Sequence, residues 1–189
     1  MKRMMVAVAC GALASCGGGS DGGSGATAAE VQDFRASALA VSASASAYGA
    51  TAATMPDHAT CLADERGYEA QVRPMLDQMS MRSGAMDEQM ASMGRAGDAD
   101  ISCGASAMVA ELDHHAGLAC TATVDMAPNR AEAARHVEAM TAWADHERVR
   151  SEQMGSMMGM SGMPGGSTGT CQRNADGTYT FSGGGGMMP

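Results

Sequence analysis

The stretch from residue 61 to residue 93 reads CLADERGYEAQVRPMLDQMSMRSGAMDEQMASM and decides the fold. Its large apolar residues recur at helical intervals, so at 100° per residue they fall within one narrow arc. The residues of this arc are Cys61, Tyr68, Val72, Met75, Met79, Met86, Met90 and Met93. The stretch therefore predicts a long helix from about residue 55 to residue 93, which Pro74 kinks and Arg82-Ser83-Gly84 can break.

Three other segments show the same periodicity and are separated by turn signals. They cover about residues 27–53, 100–124 and 129–154. Four helices with short connections predict an all-α protein, an antiparallel up-and-down four-helix bundle over residues 27–154. Alanine and methionine take the place of leucine and phenylalanine in its expected core. Methionine fills gaps well but specifies packing loosely, so the bundle is expected to need covalent staples.

The N-terminus resembles that of bacterial lipoproteins. Lys2 and Arg3 precede a short apolar stretch, and Leu13-Ala14-Ser15-Cys16 is similar to the lipobox of that family. The resemblance implies a signal peptide over residues 1–15 that is cleaved before Cys16. It also implies lipidation of the Cys16 thiol and attachment to a membrane outside the cytoplasm.

Two further features refine this expected location. Gly17 stands where lipoproteins retained at the inner membrane typically have aspartate, so the family analogy favours the outer membrane, facing the periplasm. Residues 16–26 are rich in Gly and Ser and form a flexible tether. Without residues 1–15, ten Arg oppose 21 Asp and Glu, which gives a formal charge of −11. This acidity argues against a nucleic-acid partner, which requires a basic face, and no protein partner is indicated.

Four cysteines remain besides Cys10 and Cys16, and an oxidising compartment favours disulfides between them. In an up-and-down bundle the first and third connections lie at the same end, which brings Cys61 and Cys120 to one level. Cys103 lies near the opposite end, where the chain leaves the fourth helix towards Cys171. The expected pairs are Cys61–Cys120 and Cys103–Cys171.

Methionine is unusually frequent, with 20 residues, and the tail over residues 155–189 is rich in Gly and Met. The tail begins beside a run that resembles the short methionine clusters of periplasmic copper-handling proteins. The resemblance implies that Cu(I) or Ag(I) is captured by thioether sulfur, which is a soft ligand. The implied ligands are Met154, Met157, Met158, Met160 and Met163. Further along, residues 178–181 alternate like a short strand.

Two histidines are candidate ligands inside the bundle. His115 and His136 face the predicted core at nearly equal distances from the turn near Met126, so antiparallel helices place them at one level. Met108 and Met140 lie nearby on the same faces, which suggests a His/Met copper site. Counting from one turn brings Met79 to this level, whereas counting from the other brings Glu65, and the sequence leaves both open.

Three functions therefore stay open, and His114 and His146 are expected to face solvent in each of them. The first is a lipid-anchored, extracytoplasmic protein that binds or buffers Cu(I) or Ag(I) and is not an enzyme. The second is a structural envelope lipoprotein whose methionines only pack. The third is a carboxylate-bridged di-metal enzyme, for which only Glu111-Leu-Asp-His114 has the required Glu-x-x-His spacing.

Overall fold

The computed structural model describes residues 25–95, 100–160 and 169–182. It contains four helices and one hairpin. The helices are α1 (Ala28–Ala52), α2 (His58–Ser92), α3 (Ile101–Leu118) and α4 (Ala127–Met157), and the strands are β1 (Thr170–Arg173) and β2 (Tyr179–Ser182). The predicted signal peptide, Cys16, most of the tether and Met163 lie outside the described residues.

The helices form the predicted four-helix bundle. Each helix packs against its neighbours in sequence, and α1 packs against α4 to close the ring. Short connections between consecutive helices produce the up-and-down order. The prediction of an all-α bundle is confirmed, with the small antiparallel pair β1–β2 as its only addition among the described residues.

Side-chain caps fix where the helices begin. Thr27 and Glu30 form a capping box at the start of α1, and the Asp57 carboxylate accepts from the backbone N–H of Thr60 at the start of α2. The first amides of α3 donate to Asp87, a side chain of α2. Asp100, the residue before α3, is thereby left to turn inward.

Three expected helix bounds are corrected. α2 is continuous through Pro74 and Gly84, so the break that the sequence left open at residues 82–84 does not occur. α3 ends at Leu118 instead of near residue 124, two residues before Cys120 adopts a left-handed backbone with φ of 55°. α4 continues to Met157, because its last turns are buried.

The core consists of the residue types that the sequence predicted. Met79, Met86, Met90, Met108 and Met140 are almost fully buried, together with many alanines of α1 and α4. The apolar face of α2 is rotated slightly from the predicted arc. Leu76 is therefore buried, whereas Met75 and Met93 are half-buried.

Both predicted disulfides are present. Cys61 is bonded to Cys120 with 5.7 Å between their Cα atoms, and Cys103 is bonded to Cys171 with 5.9 Å. The first links α2 to the α3–α4 connection. The second holds β1 against α3, so the hairpin is covalently tied to the bundle. The strand predicted at residues 178–181 is found at Tyr179–Ser182.

Candidate functional site

Six polar side chains and two tyrosines from all four helices meet inside the bundle, and we call them the inner cluster. Residues three or four positions apart share one face of a helix, which is why α2, α3 and α4 each contribute more than one member. The members are Tyr48 of α1, Glu65 and Tyr68 of α2, Glu111 and His115 of α3, and Glu132, Arg135 and His136 of α4.

The two histidines form the centre of the inner cluster. The imidazole rings of His115 and His136 are stacked, with centroids 3.9 Å apart and planes 11° from parallel. Both side chains are completely buried. The expectation that these residues lie at one level and face each other is confirmed.

The Nδ1 atoms of both rings point to a layer of carboxylates. Nδ1 of His115 lies 3.1 Å from Oε1 of Glu132, and Nδ1 of His136 lies 2.8 Å from Oε1 of Glu111. Arg135 joins the two carboxylates, because its guanidinium donates two hydrogen bonds to each of them. This layer fixes the orientation of both imidazoles.

The Nε2 atoms of both rings point to the opposite side, towards α1 and α2. Nε2 of His115 lies 3.1 Å from Oε2 of Glu65 and 3.2 Å from the hydroxyl of Tyr48. Nε2 of His136 lies 3.0 Å from the hydroxyl of Tyr68. Oε1 of Glu65 is buried and has no hydrogen-bond partner among the described residues.

The charges of the inner cluster are unbalanced. Three carboxylates and one guanidinium leave a formal charge of −2 when both imidazoles are neutral. Burial opposes a charge on His115, but Glu65 and Glu132 outweigh it and raise the pKa of His115. For His136, burial outweighs the effect of Glu111, and the pKa is lowered. Without another cation, a proton on His115 partly compensates the carboxylates.

Glu132 and Glu65 are held in the ionised form. Although burial opposes it, hydrogen bonds from Arg135 and His115 lower the pKa of Glu132 to about 2. The pKa of Glu65 is also lowered, because the hydrogen bond and charge of His115 outweigh burial. The inner cluster thus presents ionised oxygen donors beside imidazole nitrogens.

The structure resolves the alternative between Met79 and Glu65 in favour of Glu65. Met79 follows Glu65 by 14 positions, about 21 Å along a helix at 1.5 Å per residue, and cannot reach His115. Met108 and Met140 are fully buried, about two turns and one turn from His115 and His136 along their helices. The donors brought to the histidines are therefore oxygens, and none of the hydrogen bonds of these rings found among the described residues goes to sulfur.

The methionines near the end of α4 do not share one environment. Met154 is fully buried in the core, and Met158 and Met160 pack partly buried against it. Met157 is exposed, with 38% of its surface accessible. Met163 lies outside the described residues, so the structure does not test whether these sulfurs converge.

The arrangement limits the chemistry of the site. Among the described residues, no three His, Cys, Asp or Glu side chains surround a common point as metal ligands. Glu111 and Glu132 lie on the Nδ1 side and are engaged by Arg135, so they do not occupy the bridging position between two metal ions that a di-metal centre requires. His114, the histidine of the Glu-x-x-His motif, is exposed as predicted.

The expectation that His146 faces solvent is wrong. His146 is buried, with Nδ1 2.9 Å from Oε1 of Glu147 and Nε2 3.1 Å from the carbonyl oxygen of Gly169. The segment leading into β1 covers this side of α4, which the sequence of α4 alone does not reveal. Asp100 and Arg150 complete this second group, which we call the hairpin cluster.

The hairpin cluster differs from the inner cluster in its charge. Burial lowers the tendency of His146 to ionise, but Asp100 and Glu147 outweigh it and raise its pKa to about 9. Complete burial raises the pKa of Glu147 to about 7. With all groups ionised, two carboxylates balance one imidazolium and the guanidinium of Arg150. The hairpin cluster therefore needs no added cation.

A cleft of about 470 Å³ lies between α3, α4 and the hairpin turn. Glu111 and Arg135 of the inner cluster line it, together with His114, Trp143 and Tyr179. The cleft brings solvent to the carboxylate layer but not to the histidine rings, which are completely buried.

Sequence reasoning missed the tyrosines and Arg135 of the inner cluster. Tyr48 and Tyr68 lie on the apolar faces of α1 and α2, where the sequence pattern alone indicates core residues. Glu65 carried a usable signal, because an acidic residue four positions after Cys61 and three before Tyr68 falls on the apolar arc of α2.

None of the described helices combines the length and apolar character that crossing a membrane requires. The chain matches no model of a known protein family, and no curated protein or solved structure is significantly similar to it.

Proposed function

We propose that this protein binds a transition-metal ion in the inner cluster, through Nε2 of His115, Nε2 of His136 and the carboxylate of Glu65. In this proposal the protein is a lipid-anchored, extracytoplasmic metal-binding bundle, with the anchor at Cys16. The carrying observation is that both imidazoles are held at Nδ1 by carboxylates while both Nε2 atoms point to the same side. Metal-binding histidines are typically held in this way.

The distance between His115 and Glu65 at the Nε2 side is compatible with shared coordination. Two donor atoms about 2.05 Å from one ion are about 2.9 Å apart at right angles and about 3.3 Å apart in a tetrahedron. Nε2 of His115 and Oε2 of Glu65 are 3.1 Å apart. An ion could replace their hydrogen bond with little movement of either atom. The His136 ring is stacked nearly parallel to the His115 ring, so it would have to tilt out of the stack before both Nε2 atoms could point at one ion.

The charge and donor type indicate the class of metal. A divalent ion would neutralise the formal charge of −2, which is buried and therefore costly to leave unbalanced. Two imidazoles and one carboxylate suit borderline ions such as Fe(II), Zn(II) or Cu(II). The expected metal preference shifts away from Cu(I), because the hydrogen-bond partners of the two rings are oxygens and not thioether sulfur.

The test is titration of the chelator-stripped full chain with Zn(II), Cu(II) or anaerobic Fe(II), and with Cu(I), followed by calorimetry and by metal content after desalting. One equivalent of a borderline divalent ion should bind to the wild type. Replacement of His115 by Gln or of Glu65 by Gln should weaken the affinity at least tenfold.

The neighbouring exposed histidine supplies a matched control. His114→Gln removes one imidazole from the same helix without changing the inner cluster. The affinity of this variant for the metal ion should therefore equal that of the wild type. Circular dichroism verifies that each variant is folded. If the wild type takes up none of these ions, or if His114→Gln weakens binding as much as His115→Gln, the inner cluster is a structural polar core and the proposal is wrong.

A second candidate function is capture of Cu(I) or Ag(I) by the methionines at the start of the tail. It is favoured by Met157, a large apolar side chain that stays exposed at the end of α4. The test replaces Met157, Met160 and Met163 together by Leu and measures Cu(I) uptake against a chromophoric competitor. Unchanged Cu(I) uptake in this variant would reject the tail as the Cu(I) site. The three substitutions do not alter the residues of the inner cluster.

A further inference from the structure

The cleft between α3, α4 and the hairpin turn has the size of a small-molecule site, with a volume of about 470 Å³. Three alanines of the helices line it, Ala107 and Ala110 of α3 and Ala139 of α4. Side chains of this size leave the space between the helices and the hairpin unfilled. The Cys103–Cys171 disulfide holds the hairpin beside α3, so the opposite wall of the cleft is covalently fixed.

The two ends of the cleft differ in their chemistry. One end is aromatic, because Trp143 of α4 and Tyr179 of the hairpin meet there with ring centroids 6.4 Å apart and planes 87° from parallel. The other end is charged, because Glu111 and Arg135 line it. Trp143 follows Arg135 by eight positions, about 12 Å along α4. The cleft therefore offers an apolar end and a charged end to one elongated molecule.

The charges along the cleft favour a cationic ligand. The guanidinium of Arg135 already donates hydrogen bonds to the carboxylates of Glu111 and Glu132, so two negative charges oppose its one positive charge. On the hairpin side the lining includes the carboxylate of Asp176, which accepts hydrogen bonds from Thr178. Each carboxylate oxygen can accept more than one hydrogen bond. An ammonium group would therefore find acceptors in this cleft, whereas an anion would meet an excess of negative charge.

We propose that the cleft binds an organic ammonium ion with an apolar or aromatic body. The body lies against Trp143, Tyr179 and the alanines, where it is removed from water. The ammonium group donates charge-assisted hydrogen bonds to the carboxylate of Glu111. This site is distinct from the proposed metal site, because the completely buried histidine rings take no part in it and no metal ion is required.

The experiment titrates the chelator-stripped full chain with phenylbutylammonium, with phenylbutyrate and with phenylbutanol. These probes carry the same ring on a similar chain and end in a cation, an anion and a neutral hydroxyl. Trp143 is the only tryptophan of the chain, so its fluorescence reports occupancy of the cleft, and calorimetry gives the affinity. The cation should bind with saturation and about tenfold more tightly than either of the other probes.

Two substitutions fill the cleft without changing its charge. Ala139→Leu enlarges a buried side chain of the lining, and Ala110→Leu enlarges an exposed one and so leaves the core of the bundle unchanged. Each should weaken binding of phenylbutylammonium about tenfold. The matched control is Ala134→Leu, because Ala134 is an exposed alanine of α4 outside the described lining of the cleft. Its affinity for phenylbutylammonium should equal that of the wild type, and circular dichroism verifies that each variant is folded.

Three results would overturn the proposal. The first is the absence of saturable binding of phenylbutylammonium to the wild type. The second is equal or tighter binding of phenylbutyrate or phenylbutanol. The third is an affinity for phenylbutylammonium that is the same in both filled variants as in Ala134→Leu. Failure of the metal site would not produce any of these results, because the titrated chain is free of metal and keeps both histidines.

Discussion

The imidazole rings of His115 and His136 lie face to face with 3.9 Å between their centroids, but their pKa values move in opposite directions. Carboxylates on both sides raise the pKa of His115. Burial lowers the pKa of His136, and the charge of His115 adds to this effect. At neutral pH the stacked pair therefore carries no more than one proton charge, since two charged rings at this distance would repel each other.

Replacement of His115 by Gln should raise the pKa of His136 in the metal-free protein. The variant removes a neighbouring positive charge and leaves Glu111 and Glu65 with less compensation, and both changes favour a charged His136. The ring-proton chemical shifts of His136, followed by NMR against pH, measure this directly. An unchanged or lower pKa would show that the two rings are not electrostatically coupled.

Gly104→Ala should destabilise the protein by about 1–3 kcal/mol. A Cβ atom at this position would lie 1.9 Å from Oε1 of Glu147, a side chain that is completely buried and cannot swing into solvent. Denaturant unfolding measures the change. Gly117→Ala in the same helix is the control, because a Cβ atom there meets nothing within 4 Å, so the substitution should be neutral or slightly stabilising. Equal effects of both variants would contradict the predicted clash.

The hairpin cluster should make the protein lose stability as pH rises from about 6 to 9. The pKa of His146, at about 9, and that of Glu147, at about 7, are both raised on folding. Groups of this kind stabilise the fold below their unfolded pKa values, and the contribution disappears as pH rises through the folded ones. The charged groups around them are Asp100, Arg150 and, at longer range, Asp87.

The variant with both His146 and Glu147 replaced by Gln should lose this dependence. From pH 6 to pH 9 the free energy of unfolding should decrease in both proteins, and the decrease should be smaller in the variant by roughly 1–3 kcal/mol. Denaturant unfolding at a series of pH values gives both curves. His114→Gln, which changes an exposed histidine, should follow the wild-type curve, and a double variant with the wild-type slope would locate the dependence elsewhere.

The two disulfides should differ in what they stabilise. Replacing Cys61 and Cys120 by Ser releases α2 from the α3–α4 connection and should cost about 2–4 kcal/mol of global stability. Replacing Cys103 and Cys171 releases the hairpin, whose contacts with the bundle are few, so it should mainly accelerate proteolysis within the hairpin, between Thr170 and Ser182. Thermal unfolding and limited proteolysis separate the two effects. Rapid cleavage inside α1 or α2 of the second variant would contradict this division.

Met79→Leu should leave metal binding unchanged and cost less than about 1.5 kcal/mol of stability. Met79 is a buried core residue about 21 Å along α2 from Glu65, so its sulfur serves packing and not coordination. Metal titration and thermal unfolding of the variant provide the test. A loss of Cu(I) binding in this variant would restore the methionine face of α2 as a candidate site.

The sequence predicted the bundle because periodicity survives an unusual core. Alanine and methionine mark the inner faces of the helices as clearly as leucine would, and the turns then determine which cysteines meet. The helix ends were less predictable. Pro74 and Gly84 both lie inside α2, whose long face is held by α1 and α3 on either side, and this packing outweighs the local preference for a break.

The site was predictable only in part, because periodicity gives the face of a residue but not its height in the bundle. The 35 residues of α2 and the 18 of α3 cannot be aligned from both ends at once, so Met79 and Glu65 both seemed to reach His115. The prediction that His146 faces solvent was wrong for another reason. Its burial depends on Gly169, a residue 23 positions away, whose placement requires the tertiary structure.

Arg135 closes the solvent side of the inner cluster, and this sets how fast anything inside can exchange. Its guanidinium holds Glu111 and Glu132 together above rings that have no exposed surface of their own. An ion leaving through the cleft could pass only after the hydrogen bonds from the Arg135 guanidinium to Glu111 and Glu132 had broken. The rate of exchange would then be governed by the breaking of the Arg135 ion pairs with Glu111 and Glu132, and not by affinity alone.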